Sequence, residues 1–152
     1  MRLLIAATLA AAACGFAQIH VLEMSFEGVN CLPCVESMPA RAQRIRGVES
    51  AKVDAATGVL SLQLSATNRV RVEQIRDMIQ QDGTKATRVP RIEVSGTIEQ
   101  AENGIWMLRI PQHALPLELK SFLPLKTGEV VKLSGRIEDL KRSPLQMQIP
   151  LP

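Results

Sequence analysis

The sequence predicts an α+β chain: a ferredoxin-like βαββαβ sandwich followed by a small all-β barrel. Two stretches at helical spacing lie among short alternating apolar runs in residues 19–89. Beyond Pro90 the apolar runs continue with no helix between them. Glycine, proline and asparagine punctuate both parts at short intervals, as turns between strands require.

The first strand is predicted over His20–Glu27. The loop Gly28–Cys34 follows, then a helix to Arg46 that Gly47 stops. Pro39 sits early in that helix, where it removes a donor to the carbonyl of Val35 and predicts a kink or a restart. Val48–Asp54 and Val59–Leu64 read as two strands joined by residues 55–58, with Leu60, Leu62 and Leu64 alternating on one face. Val72, Ile75, Met78 and Ile79 repeat at helical spacing within Val70–Gln81, and Gly83 ends that helix. A short strand, Lys85–Val89, completes the first domain, residues 19–89, and Pro90 marks its boundary.

The second domain, residues 90–152, is predicted to hold strands at Ile92–Gln100, Ile105–Ile110, Leu117–Phe122, Glu129–Leu140 and Leu145–Ile149. Glu102-Asn103-Gly104 is a hairpin turn. Gly96 and Gly135 lie inside strands, where glycine permits a bulge or a sharp coil at a barrel corner. Val94-x-Gly96-x-Ile98, Ile105–Ile110 and Val131-x-Leu133-x-Gly135-x-Ile137 together have the pattern of an OB-like barrel. Trp106 is expected to fill that barrel, and the scattered methionines to serve as packing residues.

Composition narrows the function. The chain has 152 residues, a net charge of +3, one tryptophan and no tyrosine. Residues 19–89 hold nine basic and eight acidic side chains, and residues 90–152 hold eight and seven, so neither half is expected to form a polybasic nucleic-acid or membrane surface. Scarce aromatics argue against base stacking, and no nucleic-acid partner is expected. Met1-Arg2, the apolar run Leu3–Ala13 and the small residues to Ala17 read as a secretory signal peptide, residues 1–17, too short to span a bilayer. Export to a periplasmic or extracellular space follows. The alternative makes Cys14 a lipidated N-terminal cysteine, the only route by which this chain would reach a membrane. With Cys14 removed, both remaining cysteines stand in one motif and cannot staple distant parts of a fold.

That motif is Cys31-Leu32-Pro33-Cys34, placed where a strand hands over to a helix. Its thiolates can hold one soft ion or exchange electrons as a disulfide. Cys31 would lie in the loop and Cys34 in the first helical turn, where unpaired amides and the helix dipole favour a thiolate. Pro33 suits a first helical position because the hydrogen it lacks would be unpaired there anyway. Two sulfurs satisfy Cu(I) or Hg(II), which accept linear coordination, but leave Zn(II) short of its usual four ligands. Cu(I) is the favoured ion, with Hg(II) or Zn(II) as alternatives. His20 and His113 are not at ligand spacing from the pair.

Gly28-Val29-Asn30-Cys31-Leu32-Pro33-Cys34, then Arg46-Gly47-Val48-Glu49-Ser50-Ala51-Lys52-Val53-Asp54 and Thr57-Gly58, resembles the heavy-metal-associated domain. That family includes copper chaperones, modules of metal-transporting ATPases and periplasmic mercury-binding proteins. The resemblance covers His20–Val89. It implies that Cys31 and Cys34 bind the ion near the surface and pass it to a partner's cysteine pair on a transporter or metal acceptor. Val29 stands where the family has methionine and can replace it as a core plug. Lys85 follows the second helix where bacterial members often place an aromatic, and could offset the charge of a metal bis-thiolate. The expected function is therefore a non-enzymatic, exported soft-metal-binding protein, a role that needs its cysteines reduced. A thiol–disulfide redox protein and a non-metal interaction module are the competing readings.

Overall fold

Alternating apolar side chains along the first segment build β1 (Gln18–Glu27), which buries Ile19, Leu22, Met24 and Phe26. The computed structural model describes residues 18–111, 113, 116–121 and 123–150. The stretch read as a signal peptide, with Cys14, falls outside these residues, as do Phe122 and Pro152. After β1 come α1 (Leu32–Glu36), α2 (Met38–Gln43), β2 (Val48–Asp54), β3 (Val59–Leu64) and α3 (Val72–Gln80). Pro39 has the effect the sequence predicts. The helix breaks at Ser37 and restarts with Pro39 in the first turn of α2, where a missing amide hydrogen costs nothing. It ends at Gln43, short of the predicted Arg46.

With β4 (Lys85–Gln100), the strands of the sandwich stand in the order β2-β3-β1-β4, every pair antiparallel. Val72, Ile75, Met78 and Ile79 turn the apolar face of α3 onto this sheet. Each such buried side chain contributes roughly 1.5–3 kcal/mol. Gly47 lets the loop 65–70 close over the end of α2. Its φ is +103°, and an added Cβ would lie 2.6 Å from that of Asn68. Asn68 is buried and anchors the loop, donating to the carbonyls of Ile19 and Ser65 at 2.7 Å and accepting the amide of Val70.

The last four strands are β5 (Trp106–Arg109), β6 (Leu117–Lys120), β7 (Val130–Ile137) and β8 (Gln146–Gln148). With β4 they form a five-stranded barrel in the order β4-β5-β6-β8-β7, which closes where β7 pairs back onto β4. β6 and β8 run parallel, and β7 and β8 share only the pair Arg136↔Gln148. Trp106 is half-buried against the core, and Gly96 and Gly135 are buried inside their strands. The architecture is α+β: a sandwich sheet and a barrel.

The strands predicted at Lys85–Val89 and Ile92–Gln100 are one. β4 runs unbroken from Lys85 to Gln100 through Pro90. Its register explains why proline is tolerated. Between Arg88 and Arg91, β4 advances three residues while β1 advances two, and between Val89 and Ile92 it does the same against β7. Pro90 therefore sits in a bulge, where no ladder hydrogen bond is asked of it. One edge of β4 carries β1 and then β5, and the other carries β7. The sandwich and the barrel thus share a strand.

Candidate metal centre

The cysteine pair sits where β1 ends and α1 begins. β1 stops at Glu27, and Gly28 turns the chain out of the sheet with φ +72°. Cys31 then takes the N-cap position of α1 in an extended conformation, and its Sγ accepts the amide hydrogen of Cys34 at 3.2 Å. Pro33 occupies the first helical turn, as expected from its missing donor. Both cysteines are half-buried, between exposed Leu32 and Pro33. The N-cap geometry brings their Cα atoms to 5.2 Å and their sulfurs together as a disulfide, within the ordinary range for such a bridge. The sequence leaves the redox state of the pair open, and a metal-holding role needs these sulfurs reduced.

Val29 also departs from expectation. It is 44% exposed and plugs nothing. The turn at Gly28 carries it away from the sheet, and Phe26, Val35 and Met38 fill the core beneath the loop instead. Val29 and Leu32, 57% exposed, form an apolar rim beside the sulfurs. Lys85 is drawn into an exposed pair with Glu27 at 3.2 Å, a solvated role rather than a ligand-balancing one. The two histidines lie elsewhere. His20 hydrogen-bonds Ser95 through Nε2 at 2.7 Å on β1, and His113 packs with Glu73 and Leu145 around a small cavity near the start of α3. Burial is the main cause that lowers both imidazole pKa values, helped by Lys132 at His20 and by Arg71 at His113.

Sequence reasoning missed Arg41. Its guanidinium reaches the carbonyl of Cys34 and that of Met78, each at 3.4 Å, and pairs with Asp82 at 2.8 Å. It ties the cysteine helix to the end of α3. Nothing in the local pattern marks it, because two of its three partners, Met78 and Asp82, are distant in the chain. Burial pushes the carboxyl of Asp82 up, but hydrogen bonds from the Thr84 hydroxyl and amide, with the charge and hydrogen bond of Arg41, outweigh it and hold the pKa below the ordinary 3.8. A carboxyl depressed in the folded state stabilises the fold above its unfolded value and loses that contribution as pH falls through its folded one. Wild-type protein should therefore melt higher than Asp82→Asn at neutral pH, and the gap should close as pH drops below about 4. A gap that stays constant in pH-dependent thermal melts would refute this role.

No protein-family model and no curated protein matches the chain. Solved structures do. Its structural neighbours are copper-binding domains. They include a CopZ metallochaperone, 29% identical, covering 43% of this chain and 97% of that one at TM-score 0.39. Another is the N-terminal domain of a potential copper-translocating P-type ATPase from Bacillus subtilis, solved in its Cu(I)-loaded state. It is 22% identical over 45% of this chain and 84% of its own, with TM-score 0.40. A copper-binding domain from HMA7, a P-type ATPase, is 22% identical over 44% of this chain and 89% of its own, with TM-score 0.39.

Proposed function

We propose that the chain is an exported carrier of a soft metal ion, held between the sulfurs of Cys31 and Cys34 for transfer or sequestration rather than for catalysis. Cu(I) is the favoured cargo and Hg(II) the alternative. The observation that carries this reading is the placement of two sulfurs within bonding reach of each other, on a half-exposed loop at the start of α1. A thiol reductant supplies two electrons, and two protons complete the free thiols. The ion then displaces those protons as it binds. Among the described residues no group of three or more His, Cys, Asp and Glu gathers to hold a metal. Two sulfurs alone suit ions that accept linear coordination and leave Zn(II) under-ligated.

The exposed rim of Val29 and Leu32 leaves room for a partner's cysteine pair, on a transporter or a metal acceptor, to take the ion by stepwise ligand exchange. Residues 19–89 are then the metal-handling unit and residues 90–152 a docking or spacing barrel. Five strands that close through β4 and β7, yet barely meet between β7 and β8, support the OB-like reading of that barrel. A covalent membrane anchor would require lipid on Cys14.

Anaerobic titration of the reduced protein with Cu(I), against a competing chelator, should give one ion per chain with both nearest neighbours sulfur by X-ray absorption. Sub-stoichiometric binding, or an oxygen-rich shell, would sink the proposal. The disulfide favours one second reading, thiol–disulfide exchange. Reduction of insulin by the metal-free protein would support it, and inactivity in that assay would leave carriage as the reading.

A further inference from the structure

The arginines of this chain divide in two. Of the eleven from Arg41 to Arg142, seven have a carboxylate oxygen at 3.9 Å or less. Arg44, Arg46, Arg69 and Arg71 are the exceptions, all exposed and all without a carboxylate partner among the described residues. They meet at one end of the sandwich. Arg44 and Arg46 follow α2, and Arg69 and Arg71 precede α3.

The surface between them is concave. One hollow of about 640 Å³ is lined by Arg46, Arg69, Ser65, Thr67, Gly47 and Gln74. A second, of about 620 Å³, has Arg44, Arg69 and Arg71 on its wall, together with the ion-paired Arg41 and the carboxylate of Asp77. Arg69 and Gln74 belong to both, so the hollows adjoin. Nearby carboxylates on α3 are engaged elsewhere. Glu73 lines the cavity that holds His113, and Asp77, on the rim of the second hollow, bonds Arg76 at 2.9 Å. The walls are firm, because buried Asn68 pins the loop 65–70 to β1 and Gly47 lets it pack closely.

We propose that these paired hollows bind a ligand bearing two phosphate groups, one on each side of Arg69. Guanidinium forks match phosphate oxygens bidentately, and four of them held together, none of them ion-paired among the described residues, favour an anion that each alone would bind weakly. Ser65, Thr67 and Gln74 add neutral donors to the first hollow. The first hollow lies at the end of the sandwich away from the cysteines, and the second runs back between α2 and α3 to Arg41, which bonds the Cys34 carbonyl. The loop is pinned at Ile19, near the start of β1, and Cys31 follows the other end of that strand, roughly 25 Å away at about 3.3 Å per residue. A free diphosphate and a phospholipid surface offer the same chemistry.

Two probes separate those sources. Calorimetry of the purified, metal-free protein with inorganic pyrophosphate tests the free ligand. Co-sedimentation with phosphatidylglycerol-containing vesicles, against pure phosphatidylcholine, tests the headgroup. Binding of either probe, lost at least tenfold in the Arg46→Gln/Arg69→Gln double variant and kept in Arg109→Gln, supports the site and names its source. Arg109 is exposed and paired with Glu99 on the barrel, so it controls for charge alone. Circular dichroism checks that the double variant folds, and Arg44→Gln/Arg71→Gln provides a second, independent pair. Failure of both probes to bind the wild type, or equal binding by a folded double variant and the wild type, would overturn the proposal.

Discussion

Cu(I) binding by the Cys31→Ser protein should fall at least a thousandfold, about 4 kcal/mol. The substitution exchanges one soft sulfur for a hard hydroxyl oxygen and leaves a single thiolate, which cannot offer linear two-sulfur coordination. It is also a clean change. Cys31 is the N-cap of α1, where its side chain accepts the amide of Cys34. Serine is among the preferred residues at that position, so the helix start is kept. Competition titrations of wild type and variant measure the loss, and near-identical thermal melts of the reduced proteins show that it is not unfolding. Equal affinities in the two proteins would remove the cysteine pair from the function.

Gly135→Val should lower stability by about 2–4 kcal/mol, read as a drop in the urea midpoint with little change in slope. A Cβ at this position would lie 2.6 Å from the carbonyl oxygen of Gln148 and 2.7 Å from Cγ of Met147. The oxygen belongs to backbone and cannot swing aside. β8 would have to move, and it is only three residues long, held to β6 and by one pair to β7. Gly96 faces the same constraint from β5, with an added Cβ 2.7 Å from the carbonyl oxygen of Arg109. The sequence marks both glycines as barrel positions. The structure supplies the reason, which is close approach of the neighbouring strand. A midpoint within experimental scatter of wild type would show that β8 yields.

Local signals carried well where local physics decides. Val72, Ile75, Met78 and Ile79 predicted a helix because one amphipathic face is enough to specify it, and α3 buries all four. Pro39 predicted a restart because its missing donor acts within one turn. Cys31 and Cys34 were placed at a strand-to-helix turn by neighbours within a few residues. Errors arose where distant chain decides. Pro90 reads as a stop, yet bulged pairing with β1 on one edge and β7 on the other carries β4 through it. Val29 reads as a plug, yet Phe26, Val35 and Met38 already occupy that core.

What the sequence determined by itself is where most of the strands and helices lie and a soft-ligand pair at a helix start, because backbone preference and thiol chemistry are properties of short segments. Tertiary structure alone decided that sandwich and barrel share β4, that Arg41 and Asp82 brace the cysteine helix, and that Arg44, Arg46, Arg69 and Arg71 converge with no ion pair among the described residues. Charge balanced along a chain need not be balanced in space, since folding chooses which side chains become neighbours.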